Sequence, residues 1–327
     1  MNKNFIKYLV DPETGEGLEL LTEESKRVDI DSGYLVSKSN RYPIVRGVPR
    51  FAGYKDKSNY SKTFGFEWNR WSQLQFDSRN VGKSMAGHTQ KMWEKIVCNE
   101  NKLTEGKLLI DFGCGSGRFI EIARKKGARV IGIDLSDAVE AANDNFKNDQ
   151  DVLIVQGDIL KPPFEKEIAD GAFSIGVLHH LPDPHLGFNK IVDVVKKSGW
   201  VAVSLYGQDG YYTEPIVNFY RRFFKKLWLV FGPYPALIYS YTTVYVLGAL
   251  AKVPVVKYLV YLLKTIFPFI SLPDRNWSVL DTFDSITPSN QFGYTIYKVY
   301  NWFKETKKFK LIEPSNWGGA SLWGVKK

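Results

Sequence analysis

The stretch LLIDFGCGSGRF, from Leu108 to Phe119, constrains the fold more than any other part of this 327-residue chain. A short aliphatic run leads into a turn with three glycines, and an amphipathic segment follows. A glycine-rich turn between a buried strand and a helix is a common nucleotide-binding arrangement in parallel α/β sheets. The stretch therefore predicts the first strand, turn and helix of a nucleotide-binding sheet.

Strand and helix patterns alternate from Lys107 to Tyr206. Near-continuous aliphatic runs are typical of parallel strands that are buried on both faces. The predicted strands are LLIDF, RVIGID, VLIVQ, GAFSIGV and WVAVSLY, and the predicted helices between them are SGRFIEIARKKG, SDAVEAANDNF and HLGFNKIVDVVKK. A helix over 294–306 and the strands KFKLIE and ASLWGV would extend the sheet at its edge. We expect an α/β fold with a doubly wound, mostly parallel, seven-stranded sheet.

Three other segments complete the predicted organisation. Residues 1–55 alternate short apolar runs with turn residues, which predicts a small β domain. Residues 56–105 form an aromatic-rich helical connector, residues 207–275 a helical apolar insertion, and residues 106–206 with 276–327 the nucleotide-binding domain. In the connector, packing is the favoured interpretation of Phe66, Trp68 and Trp71, and the alternative is that they cover a cofactor pocket.

The insertion contains an uncharged run from Leu227 to Ala251. Pro233 and Pro235 interrupt it, and the part beyond Pro235 is at the short limit for a bilayer span. We therefore expect a helical cap over the site. The alternatives are a spanning helix and a surface that dips into the bilayer interface through residues 221–270, where lysines stand at 252, 257 and 264.

The charge of the chain is unevenly distributed. From Leu205 to the end there are 15 Lys and Arg against 7 Asp and Glu, whereas residues 1–204 carry 29 against 28. Because the surplus lies in an apolar region, it favours an anionic membrane or an amphipathic substrate over a nucleic-acid phosphate track. The first residues lack a secretory signal pattern, so we expect a cytoplasmic protein, with membrane association left open. Two cysteines, Cys98 and Cys114, and four histidines predict neither a disulfide framework nor a metal site.

The glycine turn departs from the dinucleotide fingerprint G-x-G-x-x-G. Gly113 and Gly115 fit the first two places, but Arg118 occupies the third, and Gly117 gives the spacing G-x-G-x-G instead. Asp111 lies two residues before the first glycine, where a carboxylate would repel a pyrophosphate. The turn therefore favours a cofactor without phosphate.

The pattern D-x-G-C-G-S-G-R-F resembles motif I of class I S-adenosylmethionine methyltransferases. The resemblance implies S-adenosylmethionine as cofactor, whose sulfonium and amino groups suit an acid at the loop. It implies that Asp134 binds the ribose hydroxyls and that Asp158 binds the adenine amino group, although these acids could instead serve a helix cap and a turn. The implied cofactor-binding residues are Asp111, Gly113, Gly115, Gly117, Asp134, Leu135, Asp158, Ile159 and Val177.

The stretch FSIGVLHHLPDP matches the position that faces the substrate in this family. His179 and His180 are therefore candidate catalytic residues, with His179 the first choice for a base that deprotonates a hydroxyl acceptor. The alternative is that the pair only packs. We expect methyl transfer by in-line displacement to a small, lipid-like or saccharide metabolite. The alternatives are an RNA-modifying methyltransferase and a non-catalytic cofactor-binding partner protein, and homo-oligomerisation stays open.

The N-terminal segments DPETGEGLEL and GYLVSKSNRYPIVRGVPRF resemble a small zinc-ribbon-like domain that accompanies some methyltransferases. The paired cysteines of that domain are missing here. Asp11, Thr14, Ser37 and Asn40 stand near the expected ligand positions without the thiolates that structural zinc prefers. The resemblance therefore implies a metal-free, structural version.

Overall fold

The structure is a computed structural model, and it describes residues 1–23, 29–52, 61–97, 104–251 and 253–327. The strands of these residues are β1 (Glu19–Leu21), β2 (Gly33–Val36), β3 (Arg41–Val45), β4 (Val48–Pro49), β5 (Leu108–Phe112), β6 (Arg129–Asp134), β7 (Val152–Gln156), β8 (Ala169–Ile175), β9 (Val195–Leu205), β10 (Phe309–Pro314) and β11 (Ala320–Lys326). The α-helices are α1 (Lys62–Arg70), α2 (His88–Val97), α3 (Arg118–Lys125), α4 (Ala138–Phe146), α5 (Pro184–Val194), α6 (Pro215–Phe231), α7 (Tyr234–Thr242), α8 (Gly248–Leu250), α9 (Val256–Lys264), α10 (Arg275–Ile286) and α11 (Ile296–Glu305).

Seven strands form one sheet in the order β10-β11-β9-β8-β5-β6-β7. The five strands β5 to β9 run parallel, and the terminal hairpin β10–β11 joins β9 in antiparallel register. The predicted seven-stranded, mostly parallel α/β fold is therefore confirmed. Strand β5 pairs with β6 on one side and with β8 on the other. The strands after β5 first extend the sheet through β6 to β7, and from β8 onwards they extend it in the opposite direction. A topological switch point therefore lies at the carboxyl end of β5.

Helices cover both faces of this sheet. Leu108 and Ile110 of β5 point into a core shared with residues of α5 and α11, whereas Leu109 points into a core shared with residues of α2, α3 and α4. Every residue of β5 is buried. This alternation explains why the aliphatic runs in the sequence are continuous rather than period-two.

The N-terminal residues form an antiparallel meander in the order β1-β2-β3-β4. The likeness of this meander to a zinc-ribbon-like domain stays a prediction. At the place predicted for ligands, the fully buried Asp11 carboxylate accepts hydrogen bonds from Ser37 Oγ at 2.6 Å, Tyr42 Oη at 2.7 Å and Asn40 Nδ2 at 2.9 Å. Thr14 contributes its backbone N–H rather than its side chain. A buried carboxylate thus organises these turns.

The predicted cysteine and metal features lie partly within the described residues. Cys114 is a buried free thiol, and Cys98 falls outside the described residues. In the parts of the chain that the structure describes, no three His, Cys, Asp or Glu side chains form a group that could hold a metal ion.

Helices α6, α7 and α9 pack with α10 around a separate apolar cluster that contains Val217, Phe224, Leu237, Val260 and Phe283. We call these four helices the helical layer. The layer extends past residue 275, the predicted end of the insertion, to the end of α10 at Ile286. No helix in the described ranges is long and apolar enough to cross a membrane.

The aromatic residues of α1 and its C-terminal flank divide between the two roles considered for them. The ring of Phe66 lies 5.7 Å from that of Phe283, and the ring of Trp71 lies 5.5 Å from it, so both pack on the helical layer. Trp68 instead lies over the glycine turn, as described below.

Candidate functional site

A cavity of about 500 Å³ opens at the carboxyl ends of the central strands. Its floor includes residues that follow β5, β6 and β8, and its other walls come from α1, α10 and the segment after β9. Open parallel sheets bind ligands at this place because the loops on either side of the switch point diverge there. The cavity is therefore the candidate site.

The glycine turn forms one wall of the cavity. Gly113, Gly115 and Gly117 have φ values of +83°, +53° and +94°, which side chains with a Cβ rarely adopt. A Cβ on Gly113 would lie 2.4 Å from Val177 Cγ1, and one on Gly117 would lie 2.5 Å from a ring carbon of Phe146. The turn therefore requires glycine for close packing as well as for its backbone conformation.

The turn amides are already hydrogen-bonded within the protein. The N–H groups of Gly113 and Cys114 donate to Ile133 O at 2.8 and 3.0 Å, and that of Gly115 donates to Asp134 Oδ2 at 3.0 Å. A phosphate-binding loop would present such amides to its ligand. This arrangement agrees with a cofactor that lacks phosphate.

The predicted cofactor acids occupy different positions around the cavity. Asp134 lines it, and its Oδ1 accepts from Ser136 N at 2.8 Å and Ser136 Oγ at 2.7 Å. Burial raises the pKa of Asp134, and these hydrogen bonds oppose the rise. Asp158 is half-buried beside the wall residue Ile159, and its Oδ1 accepts from Leu160 N at 2.8 Å.

Asp111 lies in β5 and does not line the cavity. Its side chain is buried, its Oδ2 has no hydrogen-bond partner in the protein, and burial together with Asp134 raises its pKa well above the usual range. The other predicted cofactor residues that line the cavity are Gly113, Gly115, Leu135, Ile159 and Val177. Gly117 begins α3 at one side of the turn and is not a wall residue.

The two adjacent histidines have different environments. His180 lines the cavity, whereas His179 is fully buried behind the wall, with its ring 3.9 Å from that of Tyr206. His180 Nδ1 lies 2.9 Å from Asn290 O, and because a carbonyl only accepts, this nitrogen carries the proton. Burial lowers the pKa of His180 to about 4. The structure therefore presents a neutral His180, rather than the first choice His179, to the cavity.

The segment that contains the glycine turn and the two histidines is similar to known proteins. Residues 110–203 match the family model described as a methyltransferase domain. We refer to residues 110–203, which are similar to this family, as the methyltransferase domain. This domain spans the strands from β5 into β9 and includes the glycine turn, the predicted acids and both histidines.

Curated relatives of the methyltransferase domain differ in their names. The chain is 29% identical over 121 residues to an Arabidopsis thaliana tRNA (carboxymethyluridine(34)-5-O)-methyltransferase, with 36% of this chain and 28% of that protein covered. It is 30% identical over 155 residues to 24-methylenesterol C-methyltransferase 3 of the same organism, with 44% and 43% covered. It is 28% identical over 203 residues to Phosphoethanolamine N-methyltransferase 2 of Caenorhabditis elegans, with 59% and 45% covered. The chain thus spans less than half the length of these relatives.

Among solved structures, a methyltransferase from Aquifex aeolicus is 13% identical, with a TM-score of 0.40 and coverage of 73% of this chain and 95% of that chain.

Residues outside the methyltransferase domain form a further wall of the cavity. Glu67 of α1 is fully buried, and neither of its carboxylate oxygens has a hydrogen-bond partner in the protein. Burial raises its pKa well above the usual range, and the nearby carboxylates Asp284 and Asp281 add to the rise. Trp68, the next residue, covers the turn, since a Cβ on Gly115 would lie 3.1 Å from its Nε1.

Helix α10 contributes two further acids to this wall. Burial raises the pKa of Asp281 to about 7 and that of Asp284 to about 6. Tyr206 Oη donates to Asp284 Oδ2 at 3.0 Å. Arg118 also lines the cavity, and its guanidinium lowers the pKa of both carboxyl groups.

The sequence contained a weak signal for these acids. Glu67 is the single acid in FGFEWNRW, and Asp281 and Asp284 have the i, i+3 spacing that places two side chains on one helix face. Neither pattern indicates which cavity the side chains reach, so sequence reasoning missed all three.

The wall residues fit S-adenosylmethionine. The carboxylate of Asp134 at the end of β6 lines the cavity and can accept hydrogen bonds from ribose hydroxyls, whereas Asp111 is buried and is not part of the wall. Glu67, Asp281 and Asp284 add acidic groups to the remaining wall; burial raises their pKa values, and a cationic cofactor beside them would favour their ionised forms. The fit to S-adenosylmethionine rests on these acidic side chains.

Proposed function

We propose that this protein is an S-adenosylmethionine-dependent methyltransferase that acts on a hydroxyl of a small, lipid-like or saccharide metabolite. The observation that carries the proposal is one cavity with two unlike walls. The glycine turn, Asp134 and Ile159 form the cofactor wall, and His180, Tyr206 and the acids of α10 form the acceptor wall. Bound S-adenosylmethionine supplies an electrophilic methyl group.

Asp134, on the cofactor wall, is the proposed ligand of the ribose, and Asp158, which is next to the wall residue Ile159 but does not itself line the cavity, is the proposed ligand of the adenine. Leu135, Ile159 and Val177 provide the apolar surface, and Gly113 and Gly115 allow close approach. Trp68 covers the turn and excludes water, which strengthens electrostatic interactions inside the cavity.

On the acceptor wall, His180 is the proposed base. Because Nδ1 is held by Asn290 O, Nε2 is left as the acceptor of a proton from a substrate hydroxyl. A pKa of about 4 keeps the imidazole neutral near pH 7, so Nε2 can accept a proton, and it also makes the ring a weaker base than an ordinary histidine. His179 supports this arrangement from behind, since its Nδ1 accepts from Tyr206 N at 3.4 Å.

Titration with S-adenosylhomocysteine is the first test, because absence of binding would remove the proposal. The next is incubation of the protein with labelled S-adenosylmethionine and separate lipid, small-metabolite and RNA extracts. We expect label in the lipid or metabolite fraction. Label in RNA alone would favour the nucleic-acid alternative, for which one relative named above acts on tRNA, and binding without transfer to any fraction would favour a non-catalytic partner protein.

Among the curated relatives, the sterol and phosphoethanolamine enzymes are named for acceptors of the lipid-like and small-metabolite classes. The apolar helical layer next to the acceptor wall also supports these classes, because α10 belongs to both. We propose that residues 207–275 cap the cavity for such an acceptor.

A further inference from the structure

Residues 215–273 contain no Asp or Glu and seven Lys or Arg. These residues form the helices from α6 to α9 and their connections. A segment of this length with charges of only one sign creates a positive surface potential that neighbouring side chains within the segment cannot neutralise.

Large apolar side chains are exposed on the same segment. Of the 27 that are exposed among the described residues, 18 lie between positions 219 and 267. Leu229 is 85% exposed, Val255 84% and Tyr261 78%. We call the exposed side chains of residues 219–267 the basic apolar surface. Apolar patches of this concentration on a soluble protein usually mark an interaction site.

Core packing does not require this surface. In α6 the buried side chains are Val217, Arg221 and Phe224, and the exposed apolar ones include Phe219 and Phe223. The inward face of the helix therefore already packs on the core. The outward face carries further apolar side chains, which the described residues leave exposed.

Four basic side chains accompany the exposed apolar ones. Arg222, Lys225, Lys226 and Lys257 are exposed, and Lys257 stands next to the exposed Tyr258. A second copy of the chain would bring a surface of like charge against this one, without an acid in the segment to pair with it. An anionic bilayer supplies both an apolar interior and negative headgroups.

We propose that the basic apolar surface binds the face of an anionic lipid bilayer without spanning it. A contact with the bilayer interface typically has lysine and tyrosine at the headgroup level and leucine, valine and phenylalanine below it. The basic apolar surface has this composition. The absence of a spanning helix among the described residues is compatible with a surface contact.

The contact would also place the cavity close to lipid, a consequence that rests on the proposed function. Phe283 of α10 packs in the apolar cluster beneath α6 and α7, while Asp281 and Asp284 of the same helix line the cavity. A lipid-borne acceptor would then meet the acceptor wall through α10. Binding to lipid itself is independent of methyl transfer.

The test is co-sedimentation of the full chain with vesicles, without S-adenosylmethionine. We expect binding to phosphatidylcholine vesicles that contain phosphatidylglycerol, weaker binding in high salt, and much weaker binding to phosphatidylcholine alone. The double variant Lys225→Gln and Lys226→Gln should weaken binding about 25-fold, from about fivefold for each basic residue near an anionic surface. Lys307→Gln with Lys310→Gln, on the exposed terminal hairpin region, is the matched control and should leave binding unchanged.

The apolar part of the contact has its own variants. Leu229→Glu with Val255→Glu should abolish vesicle binding, whereas Val81→Glu, at a side chain that is 79% exposed elsewhere, should not. Circular dichroism confirms that each variant is folded. Equal binding to neutral and anionic vesicles, or no binding to either, would overturn the proposal. A lipid-free dimer that Leu229→Glu with Val255→Glu converts to a monomer, together with no vesicle binding, would assign the surface to a second copy instead.

Discussion

Substituting Gly113 by alanine tests the claim that the glycine turn needs close packing as well as an unusual backbone. The new Cβ would lie 2.4 Å from Val177 Cγ1, 2.5 Å from Cγ2 and 2.9 Å from Cβ. Rotation of Val177 about χ1 moves both Cγ atoms but leaves Cβ in place, so rotation alone cannot relieve the contact. The backbone of Gly113 or Val177 must move.

Two contributions set the expected loss in free energy of unfolding for Gly113→Ala. The left-handed φ of +83° costs an alanine about 1–2 kcal/mol. Overpacking against Val177 costs about 1–3 kcal/mol more. We therefore expect Gly113→Ala to lower the free energy of unfolding by about 2–5 kcal/mol, and to weaken the binding of S-adenosylhomocysteine because Gly113 and Val177 both line the cavity.

Urea unfolding and calorimetric titration measure the two effects. Gly82→Ala is the matched control, because Gly82 has a φ of +73° and a Cβ at this position would meet nothing within 4 Å. It should show only the backbone cost, about 1–2 kcal/mol, and no change in ligand binding. Adding Val177→Ala to Gly113→Ala should restore part of the stability. If Gly113→Ala is no more destabilising than Gly82→Ala, the packing argument is wrong.

Three further substitutions test other parts of the structure. Asp11→Asn should lower the free energy of unfolding by about 2–4 kcal/mol at pH 7, because it removes a buried charge that accepts several hydrogen bonds. Burial raises the pKa of Asp11, but hydrogen bonds from Ser37, Asn40 and Tyr42 hold this pKa well below its usual 3.8. The difference in free energy of unfolding between the wild type and Asp11→Asn should therefore shrink as pH falls below about 4. A difference that stays constant in urea unfolding down to pH 2 would contradict the assignment. Glu67→Gln should instead stabilise the protein by about 1–3 kcal/mol at pH 8 and by less at pH 5. The reason is that the raised pKa of Glu67 makes its ionisation costly above pH 4.5. Destabilisation at both pH values would show that Glu67 is not an unpaired buried acid. His180→Gln should reduce turnover at saturating S-adenosylmethionine by about 100-fold or more if His180 is the base, and unchanged turnover on the identified acceptor would exclude that role.

The sequence predicted the seven-stranded sheet because its signals are local. Continuous aliphatic runs such as Leu108–Phe112 and the three glycines that follow indicate strand and turn without knowledge of distant contacts. The terminal helix and hairpin were predicted on the same basis, and α11 and β10–β11 lie at the expected edge.

The acceptor wall was less accessible to prediction. Glu67 and Asp284 are far apart in sequence, and only the packing of α1 against α10 brings both to one cavity. His179 and His180 are adjacent in a short 3₁₀ turn, where successive side chains point in different directions. The sequence therefore identified the pair but could not determine which member reaches the cavity.

The contact of the N-terminal segment with the edge strand β7 has a consequence for solubility. Phe51 N donates to Gln156 O at 2.8 Å, and Arg50 donates from its guanidinium to Gln156 Oε1 at 3.0 Å, so the chain before α1 pairs with the carboxyl end of the edge strand β7. An uncovered strand edge is a template for pairing with another molecule. A chain that began at Lys107 would keep the methyltransferase domain but expose this edge, and it would be prone to aggregate through β7.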